Sequence, residues 1–186
     1  MKMLVGITGY AGPGKTTAAG SLMQNGYYRL RFADPIKEMV AILGLTSGQL
    51  DGDQKEEPTA LLGGKSPRYA MQTLGTEWGR NLVSPTIWID ILRRRAQEMR
   101  VVGQPVVVDD VRFPNEAEAI KEVGGFLIRV VRPEQFLPIG MSHASEFSIG
   151  TLDVDHTIYN DSSIVELKKQ VSDVVLPDYW RKNGYD

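Results

Sequence analysis

Apolar positions along this chain come in short blocks, and their spacing alternates between that of strands and that of helices. Met3 to Thr8 is an apolar run closed by Gly9, the pattern of a strand buried on both faces. Lys15 to Asn25 carries helical spacing and is stopped by Gly26. Tyr27 to Phe32 alternates and predicts a second strand, and Pro35 to Leu43 predicts a helix with Asp34 as its N-cap. Arg68 to Gly79 and Thr86 to Arg100 read as two helices. Pro105 to Asp109, built on Val106-Val107-Val108, is the clearest buried strand. Glu116 to Val123 predicts a helix ended by Gly124-Gly125, and Phe126 to Val131 a strand halted by Pro133. Thr157 to Tyr159 is a last short strand, and Ser163 to Val174 a last helix before a loosely held tail from Pro177. Between Gly44 and Pro67, glycines, prolines and charges break the pattern, which predicts a mobile surface segment.

Strands that alternate with helices predict an α/β fold: a five-stranded parallel sheet with helices on both faces, a three-layer sandwich. The length, 186 residues, suits a single domain spanning 1–186. Composition excludes more than it selects. Glycine and proline number 29, about 16% of the chain and below the roughly 25% of disordered or fibrous sequences. A formal net charge of −2 gives no basic excess of the kind nucleic-acid and membrane-surface binders carry. The chain has no cysteine, which excludes disulfides, thiolate catalysis and cysteine-based metal sites, and two histidines are too few for a histidine-rich one. No apolar run reaches the ~18 residues of a membrane helix, and the N-terminus lacks a signal segment, so the expected compartment is the cytoplasm.

Gly9-Tyr-Ala11-Gly12-Pro-Gly14-Lys15-Thr16 fits G-x-x-x-x-G-K-[ST] between a predicted strand and a predicted helix. Glycines let successive backbone N–H groups point into one concavity, and the helix start adds free donors and a positive dipole end. Ala11, Gly12, Gly14, Lys15, Thr16 and Thr17 are thus the expected ATP-binding set. Lys15 would reach the β- and γ-phosphates, and the Thr16 hydroxyl suits Mg²⁺.

A second cluster follows the valine strand: Asp109-Asp110-Val111-Arg112. A phosphate-loop site needs an acid at a neighbouring strand end to serve the metal. Successive strand residues point to opposite faces, so one of the two acids at most is well aimed, and the pattern does not choose. Arg112 can hold phosphate or pair with Glu116 four residues on. No Asn-Lys-x-Asp base-specificity motif is present, and a motor needs more chain. A small-molecule kinase is the economical reading. Lys37, Arg68, Arg80, Arg112, Arg129 and Arg132 could neutralise the two polyanions it must join.

Phe32-Ala-Asp34-Pro-Ile-Lys37, Pro67-Arg68-Tyr-Ala-Met-Gln72-Thr-Leu-Gly75-Thr76-Glu77 and Asp110-Val-Arg112-Phe-Pro-Asn115-Glu116 resemble bacteriophage deoxynucleoside monophosphate kinases. Val130-Val-Arg132-Pro133, His143-Ala-Ser-Glu146 and Asn160-Asp-Ser-Ser163 continue the likeness in order over nearly the whole chain. The chain departs in having Ser162 where glycine is usual and in being short between Lys37 and Arg68.

The resemblance implies a P-loop kinase with a helical acceptor-binding region over 34–100 and a lid over 132–148. It implies transfer of the ATP γ-phosphoryl group to a dTMP-, dGMP- or dCMP-type acceptor, with Mg²⁺, for phage DNA precursor supply in the host cytoplasm. Lys37 and Arg68 would hold the acceptor phosphate; Asp34, Gln72, Thr76 and Trp88 would line its pocket. Asp110 matches the family acid, for metal and catalysis. Lys15, Arg112 and Arg132 would stabilise the transferring group. Arg132, His143 and Glu146 would reach substrate, and Asn160 would pack on the adenine. Neither nucleic acid nor membrane is an expected partner; dimers are common among such enzymes. Against this, Trp88 reads more readily as a core aromatic, and Arg93-Arg94-Arg95 as a solvated helix face or a partner surface. The alternatives are another P-loop small-molecule kinase, dephospho-coenzyme A kinase-like or shikimate kinase-like with Asp34 as base, and an ATP-binding module without transfer.

Overall fold

A computed structural model describes residues 4–182 except 11, 13 and 133–148, and of residues 177–182 the backbone only. Five strands form one sheet: β1 Leu4–Thr8, β2 Tyr28–Leu30, β3 Val106–Val111, β4 Phe126–Val131 and β5 His156–Tyr159. All pairings are parallel, in the order β2-β3-β1-β4-β5. Chain connections leave the adjacent strands β1 and β3 in opposite directions. Their carboxyl ends therefore flank the crevice where open α/β sheets bind ligands.

The chain divides into two compact units. The first comprises Met1–Arg31 and Arg93–Asp186 and holds the whole sheet. Val5, Ile7, Val107, Ile128, Val130 and Ile158 form the apolar floor of one sheet face. Helix α1, Lys15–Gln24, closes that face with Ala18, Ala19 and Leu22. The last helix, α7, Ile164–Lys182, adds Leu167, Val171 and Val175. Helix α6, Pro114–Glu122, covers the other face: a side chain on Gly6 would strike Ile120 and Leu127, each 2.7 Å away. The predicted three layers are present. Lys121 of α6 holds Asp153 at 2.6 Å, and that hydrogen bond keeps the Asp153 carboxyl below the ordinary carboxylate range; Asp153 is almost fully exposed.

The second unit is Phe32–Leu92. It contains α2 Asp34–Ala41, α3 Ser47–Leu50, 3₁₀ turns at Asp53–Glu56 and Ala60–Leu62, and α4 Pro67–Gln72. α4 runs into a π-helical stretch, Thr73–Val83, and α5, Ile87–Val101, begins here and ends in the first unit. Val40, Leu45 and Leu50 form its small core, with Leu62, Met71 and Leu74 against them.

Several expectations are corrected. The 44–67 segment, expected as a mobile surface stretch, carries α3 and two 3₁₀ turns. Thr46 and Gln49 cap α3 reciprocally, and Leu45 and Leu50 anchor it in the core. Asp34 is the first residue of α2 instead of its cap; the cap position is Ala33. The helix predicted over Arg68 to Gly79 changes at Thr73 from α to π winding. α7 runs past Pro177 to Lys182, since a proline weakens a helix without always ending it.

Candidate active site

β1 delivers its last buried residue, Thr8, directly into the glycine turn. Gly9, Gly12 and Gly14 all take positive φ (142°, 81° and 102°), which side-chain-bearing residues rarely adopt. Gly14 stands at the N-cap of α1, where no side chain caps the helix, and no acid lies in its first turn. Helix starts of this kind attract anions through their N–H groups and dipole. Lys15 Nζ donates to Gly9 O at 2.7 Å and to Tyr10 O, so the ammonium folds over the loop's own carbonyls. Thr16 is exposed and Thr17 half-buried. Asn160, at the end of β5 and 7% exposed, lies against the loop: a side chain on Gly14 would fall 2.8 Å from its Nδ2 and 2.9 Å from Leu167 Cδ2. Ala11 lies outside the described residues.

Beside the loop, β3 ends in the two acids. From the pair Gly6↔Val108 to the pair Thr8↔Val111, β1 advances two residues and β3 three. The extra residue is a bulge-like irregularity at Asp109-Asp110, and strict face alternation no longer separates the acids. Their surroundings do. Arg29 of β2 grips Asp109 at two points, Nε–Oδ1 3.0 Å and Nη2–Oδ2 2.5 Å. The Asp109 side chain is only 4% exposed. Asp110 is half-buried and more open. Arg29 carried no motif signal; only its place one strand over from the acids could have marked it.

Arg112 follows β3. Its backbone N–H donates to Glu116 Oε2 at 2.8 Å, and that of Phe113 donates to the same oxygen at 3.1 Å. Glu116 is 2% exposed, so it caps α6 and fixes the turn that carries Arg112. The Arg112 guanidinium has no carboxylate partner among the described residues. The Arg112–Glu116 link thus runs through the backbone. Arg132 is exposed just beyond β4. Arg129 is committed elsewhere: its Nη2 donates to Ile149 O at 3.2 Å and to Leu152 O. Arg93 of α5 pairs with Glu122 of α6. His143, Glu146 and nearly all of the expected lid lie outside the described residues.

In the second unit, Lys37 on α2 pairs with Asp51 Oδ1 at 2.5 Å, and Arg68 in the first turn of α4 pairs with Glu56. Both acids belong to the 44–67 segment, and sequence reasoning passed over them. Gln72 is exposed at the end of α4, and Thr76 is half-buried in the π-helical stretch. Trp88 is 1% exposed and its Nε1 donates to Gly75 O at 2.7 Å. That is the core position its aromatic character favours, so its indole is not an open face for a base. Gly79 makes room for it, since a side chain there would lie 2.4–2.9 Å from the indole. Trp78, 39% accessible, stands beside it on the outside, with its ring 6.4 Å from that of Trp88. π winding is uncommon and concentrates at functional sites.

Comparison with known proteins decides the family. The model of deoxynucleotide monophosphate kinase matches residues 64–171. A protein of Acanthamoeba polyphaga mimivirus, whose name is that of a deoxynucleotide monophosphate kinase, is 34% identical over 183 residues, covering 91% of this chain and 94% of its own. The chain belongs to the deoxynucleotide monophosphate kinase family. The deoxynucleoside-5'-monophosphate kinase of Escherichia phage T5 is 38% identical over 113 residues, covering 57% of this chain and 44% of its own. The fold is shared more widely. Dephospho-CoA kinase from Campylobacter jejuni superposes with a TM-score of 0.54 at 17% identity, covering 98% of this chain and all of its own. Shikimate kinase from Aquifex aeolicus superposes at 0.53 and 10% identity, covering 95% and 98%. Within the deoxynucleotide monophosphate kinase family model fall Arg68, Gln72, Thr76, Asp110, Arg112, Arg132 and Asn160; the glycine turn and Lys37 precede it. No described helix is long and apolar enough to cross a membrane.

Proposed function

We infer that this protein transfers the γ-phosphoryl group of ATP to a deoxynucleoside 5'-monophosphate, giving ADP and the diphosphate. Family membership carries the reading, and the uncapped, acid-free start of α1 behind three positive-φ glycines supports the placement of the ATP phosphates there.

The acceptor phosphate is already an anionic nucleophile, so the residues need only position and neutralise. Lys15 leaves the Gly9 and Tyr10 carbonyls to hold β- and γ-oxygens. Arg112, presented on the turn that Glu116 fixes, faces developing charge on the transferring group, and Arg132 at the β4 end adds a second cation. Thr16 and Asp110 fit a magnesium ion: one hydroxyl, one carboxylate and the phosphates suit its preference for few protein ligands. Bound there, the metal would offset charge on the β- and γ-oxygens. The two-point bond of Asp109 to Arg29 supports a structural role for that acid and favours Asp110 as the metal acid in this reading. Asn160 borders the adenine side of the loop.

Lys37 and Arg68 bind the acceptor phosphate in this reading, with Asp34, Gln72 and Thr76 around the nucleoside and Trp88 bracing the π-helical wall from within. A panel of dTMP, dGMP, dCMP, dAMP and dephospho-coenzyme A, with coupled ADP detection, tests it. ADP formation with one or more deoxynucleotides and none with dephospho-coenzyme A is expected. ADP formation with dephospho-coenzyme A alone, or with no acceptor, would overturn it.

A further inference from the structure

The two cations assigned to the acceptor phosphate are both occupied by carboxylates. Lys37 Nζ lies 2.5 Å from Asp51 Oδ1, and Arg68 Nε bonds Glu56 Oε1. Both acids come from one short stretch, the residue that ends α3 and the last residue of the 3₁₀ turn Asp53–Glu56. Capping at Thr46 and the burial of Leu50 hold that stretch in place. The Lys37 side chain is 16% exposed, so its ammonium is offered toward Asp51 and not lost to solvent; Arg68 and Glu56 are 43% and 65% exposed.

We propose that Asp51 and Glu56 are exchangeable stand-ins for the acceptor's phosphate and make Lys37 and Arg68 selective for a group that brings about two negative charges. The inference rests on the acceptor reading above. Two carboxylates supply two charges, and a phosphomonoester at pH 7 supplies about 1.5–2. Exchange of one for the other leaves the cations neutralised throughout. Arg68–Glu56 is an exposed pair, and Asp51 is half-exposed on the acid side of the other, so a dianion can displace both acids. A nucleoside without phosphate offers nothing in return and leaves both pairs closed. The acids thus lower the affinity for every anion while retaining the distinction between a phosphorylated acceptor and an unphosphorylated one. A structural brace makes the opposite prediction: if the acids served to hold Lys37 and Arg68 in place, losing them would weaken acceptor binding.

The test uses the full chain with Asp51→Asn, Glu56→Gln and the double variant. Equilibrium binding of dTMP, dGMP, dCMP and inorganic phosphate is measured at fixed ionic strength, with thermal melting as the control for folding. Each single variant is expected to bind the monophosphates and inorganic phosphate about two- to five-fold more tightly, the range that one exposed ion pair supports. The double variant should approach the product, and ATP affinity should stay within about two-fold. Unchanged or weaker monophosphate binding in folded acid variants would overturn the proposal. Lys37→Met and Arg68→Ala, measured in parallel, separate the two claims. If they lose the monophosphates while the acid variants gain nothing, only the stand-in role fails. If they keep full affinity, the acceptor assignment fails with it.

Discussion

Arg29 holds Asp109 through two parallel bonds, 3.0 Å from Nε to Oδ1 and 2.5 Å from Nη2 to Oδ2, across the neighbouring strands β2 and β3. The pair pins Asp109 at the site of the β3 irregularity. Asp109→Asn removes a nearly buried charge and strands a guanidinium that is 28% exposed. A fully buried pair loses about 3–5 kcal/mol when one partner goes; the partial exposure of Arg29 reduces this to about 1–3 kcal/mol. Asp110→Asn should cost less stability than that and more turnover. Urea denaturation with steady-state rates on both variants checks the division. Equal losses of stability would count against it.

Gly14 is the point where the loop's conformation and the packing of Asn160 coincide. Alanine there must adopt φ near 102° and push against Asn160 Nδ2 and Leu167. Left-handed strain alone costs about 1–2 kcal/mol. Gly14→Ala should therefore weaken ATP binding by roughly ten-fold or more, measured by titration with a non-hydrolysable ATP analogue. Wild-type affinity would show that the turn tolerates a side chain and is not shaped for phosphate.

Glu116 links a fold feature to Arg112. Its carboxylate takes the Arg112 and Phe113 N–H groups from inside the protein. Glu116→Ala leaves both donors without that acceptor, at a cost of about 1–2 kcal/mol as for other N-terminal caps. It should also lower kcat more than it raises KM for ATP, because it frees the turn that carries Arg112. A KM effect alone would place Arg112 in ground-state binding.

Trp88 and Gly79 form a close-fitting pair in the second unit. Gly79→Ala inserts a methyl group against the indole, an overpacking worth about 1–3 kcal/mol. Trp88→Phe loses the bond to Gly75 O, about 1 kcal/mol. Melting temperatures of the two variants test the ranking; an unperturbed Gly79→Ala would mean the π-helical stretch is loosely packed.

The elements that position the phosphate site were legible because each carries a strong local signal. β1 and the Val106–Val108 half of β3 are apolar runs, the glycine turn has fixed spacing, and Gly124-Gly125 marks the end of α6. What escaped depends on partners far along the chain or on rare geometry. Nothing near Arg29 announces Asp109, 80 residues on. The irregularity in β3 defeats the alternation rule where the two acids meet. The order of 44–67 comes from one capping pair and two leucines amid residues that otherwise signal a loop. π winding from Thr73 to Val83 has no periodicity that short apolar patterns reveal, and the fit of Trp88 against Gly79 and Gly75 O depends on that winding.

The fate of the γ-phosphate tests the central claim most directly. ATP labelled in that group is incubated with the protein, magnesium and each deoxynucleoside monophosphate in turn, and the products are separated. Label is expected in the β-position of a deoxynucleoside diphosphate, lost in Lys15→Ala by a factor on the order of 10²–10³. Label recovered only as inorganic phosphate, whichever acceptor is present, would contradict it.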